Sequence, residues 1–102
     1  VAAILNNLGE LCRNQGRYRD AELYFNEALV VFEKIYGQDN IDVATTLNNT
    51  ALLHKDLEKY EEAERRFHRC ICILAKVAPE DHPFKGVALH SYTRIRAKVL
   101  DC

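Results

Sequence analysis

The chain has 102 residues, of which 48% are hydrophobic and 28% are charged, and its formal net charge is −1. This length suits one compact domain or a short part of an array, and the near-neutral charge gives no reason to expect nucleic acid or a membrane as a partner. No run of about 18 apolar residues is present, which predicts no transmembrane segment. The chain begins at Val1 without a signal-peptide pattern, so we expect a fragment of a longer protein.

The first 42 residues of the chain are repeated by the next 42. The positions that return unchanged include Val1, Ala2, Leu5, Asn6 and Asn7, which become Val43, Ala44, Leu47, Asn48 and Asn49, and Tyr18, Ala21, Glu22 and Phe25, which become Tyr60, Ala63, Glu64 and Phe67. A fixed period of this size indicates a repeat array, in which each repeat packs against its neighbours.

Each repeat is predicted to form two helices joined by a short turn. In the first repeat, the apolar spacing predicts helices over residues 1–15 and from about Tyr18 to Tyr36, separated by Gly16, which suits a left-handed helix end. In the second repeat, helices are predicted from Ile41 to Leu57 and from Tyr60 to Val77. Because the connections are short, the helices of each pair must be antiparallel neighbours.

The side chains expected to face inward recur at three- and four-residue steps along each helix. They are Leu5, Leu8, Leu11 and Cys12, then Tyr18, Ala21, Phe25, Ala28, Leu29 and Phe32, then Leu47, Leu53 and Leu57, and finally Ala63, Phe67, Cys70, Ile71 and Leu74. Gly9 is expected to let another helix approach closely, and Ala51 keeps the same position small in the second repeat. Glu58 replaces Gly16, so the second turn lacks its best residue.

A fifth helix is predicted from about Phe84 to Leu100. Leu89, Tyr92 and Ile95 continue the 42-residue series there, but no further helix follows. We interpret this part as a cap, because the last repeat of an array would otherwise expose its stacking face.

The two modules resemble tetratricopeptide repeats. The matching positions are Leu8, Gly9, Gly16, Tyr18, Ala21, Phe25 and Ala28 in the first module and Tyr60, Ala63 and Phe67 in the second, where Thr50, Ala51, Glu58 and Cys70 depart from the pattern. The usual period of this family is about 34 residues, so 42 is a long variant. The segments 33–40, 43–49 and 81–83 resemble the kinesin light chain type, and the resemblance covers residues 1–84 and part of the rest.

This resemblance implies an all-α fold, a right-handed α-solenoid of antiparallel helix pairs. We accordingly predict a first repeat over residues 1–42, a second over 43–84, and a capping helix or incomplete third repeat over 85–102. In this family the first helix of each pair lines a concave groove. The resemblance therefore implies a non-catalytic protein–protein interaction scaffold that binds a peptide or protein segment in that groove.

The candidate contacts in the groove are polar and charged residues, because an asparagine amide can both donate to and accept from a peptide backbone. They are Asn6, Asn7, Glu10, Arg13, Asn48, Asn49, Lys55 and Arg94, with Ala3 and Thr45 beside them. The alternative for the asparagines, above all Asn7 and Asn49, is a hydrogen bond between adjacent helices that fixes the stacking. The alternative for the charged residues is a solvated surface position. No clamp for a peptide carboxylate is predicted.

No catalytic or metal-binding constellation is predicted. His68 and Cys72 share a helix face, but no third ligand is near in sequence. Because no Ser-His-Asp pattern, phosphate loop or Cys-x-x-Cys motif is present, we expect no enzyme activity, metal or cofactor. The other cysteines, Cys12, Cys70 and Cys102, are interpreted with Cys72 as free thiols of a reducing compartment, which predicts a cytoplasmic location. The alternative is that the four cysteines form disulfides in a secreted chain, but no other feature of the sequence favours that.

Two alternatives to groove binding remain open at the level of sequence. One is a structural or oligomerisation segment of a larger array, because two repeats and a cap fall short of the roughly three repeats that make a stable solenoid. Flanking repeats or self-association would then complete it. The other is a regulatory module attached to a motor or an enzyme.

Overall fold

The computed structural model describes residues 2–77, 90 and 92–97. The first range forms four helices, α1 (Ala2–Asn14), α2 (Tyr18–Tyr36), α3 (Ile41–Asp56) and α4 (Tyr60–Val77), and residues 92–97 are also helical. The predicted bounds are confirmed for α2 and α4, and those of α1 and α3 agree within a residue. Most of the predicted fifth helix, like most of the predicted cap over 85–102, lies outside the described residues.

The turns inside the two helix pairs have the same geometry. Gly16 has φ +78°, and the N–H of Arg17 donates to the carbonyl of Cys12 at 2.8 Å. In the second pair Glu58 takes the same left-handed conformation with φ +61°, and Lys59 donates to His54 at 2.8 Å. The second turn therefore keeps the shape that glycine favours although glycine is absent.

The turn between the pairs ends α2 and starts α3. Gly37 has φ +79°, and its N–H donates to the carbonyl of Glu33 at 2.9 Å. Asn40 then caps α3, since its Oδ1 accepts from the N–H of Asp42 at 2.7 Å. An asparagine at this position satisfies one of the free N–H groups at a helix start.

The two helices of the first pair are in close contact at Gly9. A Cβ atom added to Gly9 would lie 2.5 Å from Cε1 of Phe25, which is itself fully buried. The second pair has Ala51 and Phe67 at these positions, and both are fully buried in one cluster. The prediction that a small residue lets the helices approach is confirmed.

The core runs between the helices and joins the two pairs. Its buried members at the junction are Ala28, Leu29 and Phe32 of α2, Val43, Ala44 and Leu47 of α3, and Cys70, Ile73 and Leu74 of α4. Because α2 packs against both α1 and α3, the pairs stack into a continuous array. No helix among the described residues combines the length and the apolar content needed to span a membrane.

The predicted inward stripe of α1 is wrong for two of its leucines. Leu8 is 36% exposed and Leu11 is 52% exposed, whereas Cys12 is buried. Their counterparts 42 residues later, Thr50 and Leu53, are fully buried. Periodicity identifies an apolar face correctly, but that face is covered in α3 and uncovered in α1.

Candidate peptide-binding groove

The orientation of α1 follows from its contacts. Its Gly9 side packs on α2, and two side-chain contacts join it to α3: Asn49 Nδ2 donates to Asn6 Oδ1 at 3.0 Å, and Arg13 Nε donates to Asp56 Oδ2 at 2.6 Å. At about 100° per residue, the residues at positions 3 and 10 lie roughly 100–120° around the helix from Gly9, on the flank that also carries Asn6 and Arg13. The groove predicted from the family resemblance would lie along this flank and its counterpart on α3.

The asparagine pair Asn6 and Asn49 links α1 and α3. Asn6 is half-buried and Asn49 is 8% exposed. The alternative of a hydrogen bond between adjacent helices therefore applies to Asn49, with Asn6 rather than Asn7 as its partner. Asn7 is exposed on α1.

Asn48 occupies the place in the second repeat that Asn6 occupies in the first. Its side chain is only 5% exposed, and its Oδ1 has no hydrogen-bond partner among the described residues. Lys55, which corresponds to Arg13, is half-buried. The structure thus brings Asn6, Asn49 and Arg13 into contacts between helices and leaves Asn7, Glu10 and Arg94 open to solvent.

One row of residues crosses the predicted groove from the first helix pair to the segment 92–97. Glu10 of α1, Leu52 of α3 and Arg94 of the segment 92–97 stand at equivalent positions, 42 residues apart. Glu10 and Arg94 are exposed and Leu52 is half-buried. The row is acidic at one end, apolar in the middle and basic at the other. Leu52 was missing from the predicted contacts, although the 42-residue offset from Glu10 points to it.

The remaining titratable groups add neither a buried nucleophile nor a metal-binding site among the described residues. Burial raises the pKa of the Cys70 thiol to about 12, which makes it a poor nucleophile. Cys72 Sγ lies 3.8 Å from His68 Nε2 on the exposed side of α4. Within residues 2–77, 90 and 92–97 no three His, Cys, Asp or Glu side chains are grouped as metal ligands would be.

Antiparallel helix pairs that stack at a 42-residue period define an α-solenoid repeat protein. A family model described as tetratricopeptide repeat matches residues 1–76, and the chain therefore belongs to the tetratricopeptide repeat family. The predicted right-handed α-solenoid fold is confirmed by this match and by the structural comparison below.

The crystal structure of BtubC (BKLC) from P. vanneervenii is similar to this chain, with a TM-score of 0.93 and 22% sequence identity. The match covers 99% of this chain and 41% of the BtubC chain, so this chain spans less than half the length of that protein. The predicted resemblance to the kinesin light chain-like variant of the family is confirmed. A search of curated proteins found no match.

Proposed function

We propose that this chain is a non-catalytic interaction module that binds an extended peptide or protein segment along its concave groove. Membership of the tetratricopeptide repeat family supports a protein-interaction scaffold. The observation that carries the finer proposal is the row formed by Glu10, Leu52 and Arg94, because it gives the groove both an apolar contact and two opposite charges.

The row also specifies the chemistry of the segment. Neighbouring helices lie roughly 8–10 Å apart, and an extended chain advances about 3.3 Å per residue. Successive contacts are therefore about three residues apart in the ligand. The preferred segment has a basic residue beside Glu10, an apolar residue over Leu52 and an acidic residue beside Arg94.

The pair of Asn6 and Asn49 has a positioning role in this proposal. In the hydrogen bond between them Asn49 uses its amide nitrogen and Asn6 uses its amide oxygen. The amide oxygen of Asn49 and the amide nitrogen of Asn6 are then available to a ligand. Asn7 is exposed at the edge of the groove and offers its whole amide. Arg13 is held by Asp56, so it contributes less charge to a ligand than Glu10 or Arg94 does.

Binding can be tested with three fluorescent nine-residue peptides that share a central leucine. The two charged residues that flank this leucine, one on each side, are Lys and Glu in the first peptide, Lys and Lys in the second, and Glu and Glu in the third. We expect fluorescence anisotropy to show about two- to fivefold tighter binding of the Lys–Glu peptide, as each exposed charge pair contributes roughly 0.2–1 kcal/mol.

Charge reversal in the protein should redirect this preference. Arg94→Glu should favour the Lys–Lys peptide, and Glu10→Lys should favour the Glu–Glu peptide. Glu61→Lys on the exposed face of α4 is the matched control and should leave the order unchanged. Equal binding of all three peptides, or the same order in every variant, would remove the basis of the groove proposal.

A further inference from the structure

A thiol and an imidazole are in contact on the exposed side of α4. Cys72 Sγ lies 3.8 Å from Nε2 of His68, which is four residues earlier, and both side chains are exposed. The ring of Tyr92 packs on that of His68, with 5.8 Å between the centroids and 40° between the planes. The imidazole is therefore held beside the thiol by a second part of the fold, and in the tautomer with unprotonated Nε2 it can accept the thiol proton.

The fold does not require this pair of side chains. Four positions on the side of the helix that faces away from its own pair differ in kind between α2 and α4. The changes from α2 to α4 are Leu23 to Arg65, Asn26 to His68, Glu27 to Arg69 and Val30 to Cys72. Because α2 forms the same kind of helix without them, packing does not account for a thiol, an imidazole and two cations on one side of α4.

The surroundings of the thiol carry a net positive charge. From residue 65 to residue 77, α4 has four Arg or Lys residues and no Asp or Glu. Arg69 is bound by Glu33 at 2.8 Å, and Lys76 holds Asp39 only loosely, with 3.7 Å between Nζ and Oδ2 and both side chains more than half exposed. Arg65 is exposed and has no ion-pair partner within residues 2–77, 90 and 92–97.

The nearest acidic residues of α4 itself do not cancel this charge. Glu64 is bound to Arg96, with 2.7 Å between Oε1 and Nη1. Glu61 lies eleven residues before Cys72, which is about 16 Å along the helix, and Arg65 stands between them at about 10 Å from Cys72. An anion that approaches the thiol therefore meets Arg65 and Lys76 before it meets a free carboxylate of α4.

We propose that Cys72 is a site of reversible modification by anionic low-molecular-weight disulfides, a class that includes glutathione disulfide. His68 Nε2 accepts the thiol proton, the Cys72 sulfur bonds to one sulfur of the disulfide, and the S–S bond of the reagent breaks. The other half of the reagent leaves as a thiolate and takes up the proton, so the Cys72 sulfur is oxidised and one sulfur of the reagent is reduced.

Arg65 and Lys76 select the reagent in this proposal, because they attract its carboxylates and repel a cationic disulfide. The modified residue lies on α4, and the groove predicted along α1 and α3 is formed by other helices. The proposal therefore stands or falls independently of peptide binding.

Selectivity by charge tests the proposal. The natural chain is incubated at low salt with glutathione disulfide, which is anionic, or with cystamine, which is cationic. Tandem mass spectrometry then follows the adduct at Cys72 separately from Cys70. We expect Cys72 to be modified well before the buried Cys12 and Cys70, and dithiothreitol to remove the adduct.

Reversal of one charge should change this selectivity. Arg65→Glu should lower the ratio of the rate constant for glutathione disulfide to that for cystamine by about two- to fivefold, and added salt should reduce the effect. Arg19→Glu is the matched control, since it makes the same change at an exposed position near the start of α2, and it should leave the ratio unchanged.

The imidazole is tested by a variant without charge reversal. His68→Gln should lower both rate constants by about threefold or more and leave their ratio unchanged, because it removes the proton acceptor and no fixed charge. Its far-ultraviolet circular dichroism should match that of the natural chain.

Three results would overturn the proposal. The first is the same ratio of rate constants in Arg65→Glu and in the natural chain. The second is a His68→Gln variant that reacts as fast as the natural chain, which would make Cys72 an ordinary exposed thiol. The third is modification of Cys72 that is no faster than that of Cys12.

Discussion

At the scale of single residues, His54 is a buried titratable side chain whose hydrogen bonding is incomplete. Its side chain is about 4% exposed, its Nε2 lies 3.1 Å from Oε2 of Glu62, and its Nδ1 has no hydrogen-bond partner among the described residues. Desolvation lowers the pKa of this imidazole below its ordinary value, and the nearby Glu62 only partly opposes that effect. The folded chain therefore favours neutral His54.

His54 should make the stability of the protein depend on pH. The unfolded chain binds a proton at a pKa of 6.5, and the folded chain binds it only at a lower pH. Between the folded-state pKa and the unfolded-state pKa, the unfolded chain binds more protons than the folded chain. The free energy of unfolding therefore has its highest value above about pH 6.5 and decreases as the pH falls below it. Urea unfolding of His54→Gln should show a flatter dependence between pH 7.5 and 5.5.

His68→Gln on the exposed side of α4 is the control for this prediction and should retain the slope of the natural chain. A His54→Gln variant whose stability falls as steeply as that of the natural chain would assign the pH dependence to other groups. The sequence did not single out His54. No sequence motif includes His54, and its partner Glu62 lies on the next helix, beyond the turn between α3 and α4.

At the scale of a single element, the turn between α3 and α4 contains a strained backbone conformation that the sequence indicated. Glu58 stands where Gly16 closes the first pair, and it adopts φ +61°. A residue with a Cβ atom in this conformation is disfavoured by about 1–2 kcal/mol. Lys59 still donates to His54, so the packing of the pair holds the turn in place.

Replacement of Glu58 by glycine should stabilise the protein. We expect Glu58→Gly to raise the free energy of unfolding by up to about 1 kcal/mol in urea, less than the full strain because glycine makes the unfolded chain more flexible. Gly16→Ala in the other turn should lower it. Unchanged stability of Glu58→Gly would mean that the glutamate side chain contributes a compensating interaction.

At the scale of the whole molecule, the helix pairs are supported unequally. The second pair has α2 on one side and residues 92–97 on the other, whereas α1 has an uncovered face. In an array, each repeat draws its stability from its own packing and from its neighbours. The first pair should therefore open more readily than the second.

Thiol labelling in mild urea can measure this difference. Cys12 lies in α1 and Cys70 in α4, and both are buried, whereas Cys72 is exposed. We expect mass spectrometry after maleimide labelling to show Cys72 modified first, then Cys12, with Cys70 roughly tenfold slower than Cys12, which corresponds to about 1.4 kcal/mol. Equal rates at Cys12 and Cys70 would show that the two pairs open together.

The fold was largely predictable because period and apolar spacing specify repeated helices, and the bounds of α2 and α4 were correct. The contacts of the groove were less predictable. Asn6 pairs with Asn49 and Arg13 with Asp56, each 43 residues apart rather than 42. Because α1 and α3 lie side by side, the side of α1 that faces α3 differs from the side of α3 that faces α1. The contacting residues of the two helices are therefore shifted by one position from exact equivalence. An alignment of equivalent positions cannot show this shift.

The close contact between Gly9 and Phe25 also distinguishes the two helix pairs. The first pair has no side chain at this point, while the second has the methyl group of Ala51 beside Phe67. The two pairs therefore have different limits on how closely their helices approach. We therefore expect a segment bound across both repeats to meet two differently packed helix pairs, so that even identical residues at equivalent positions would not be equivalent contacts.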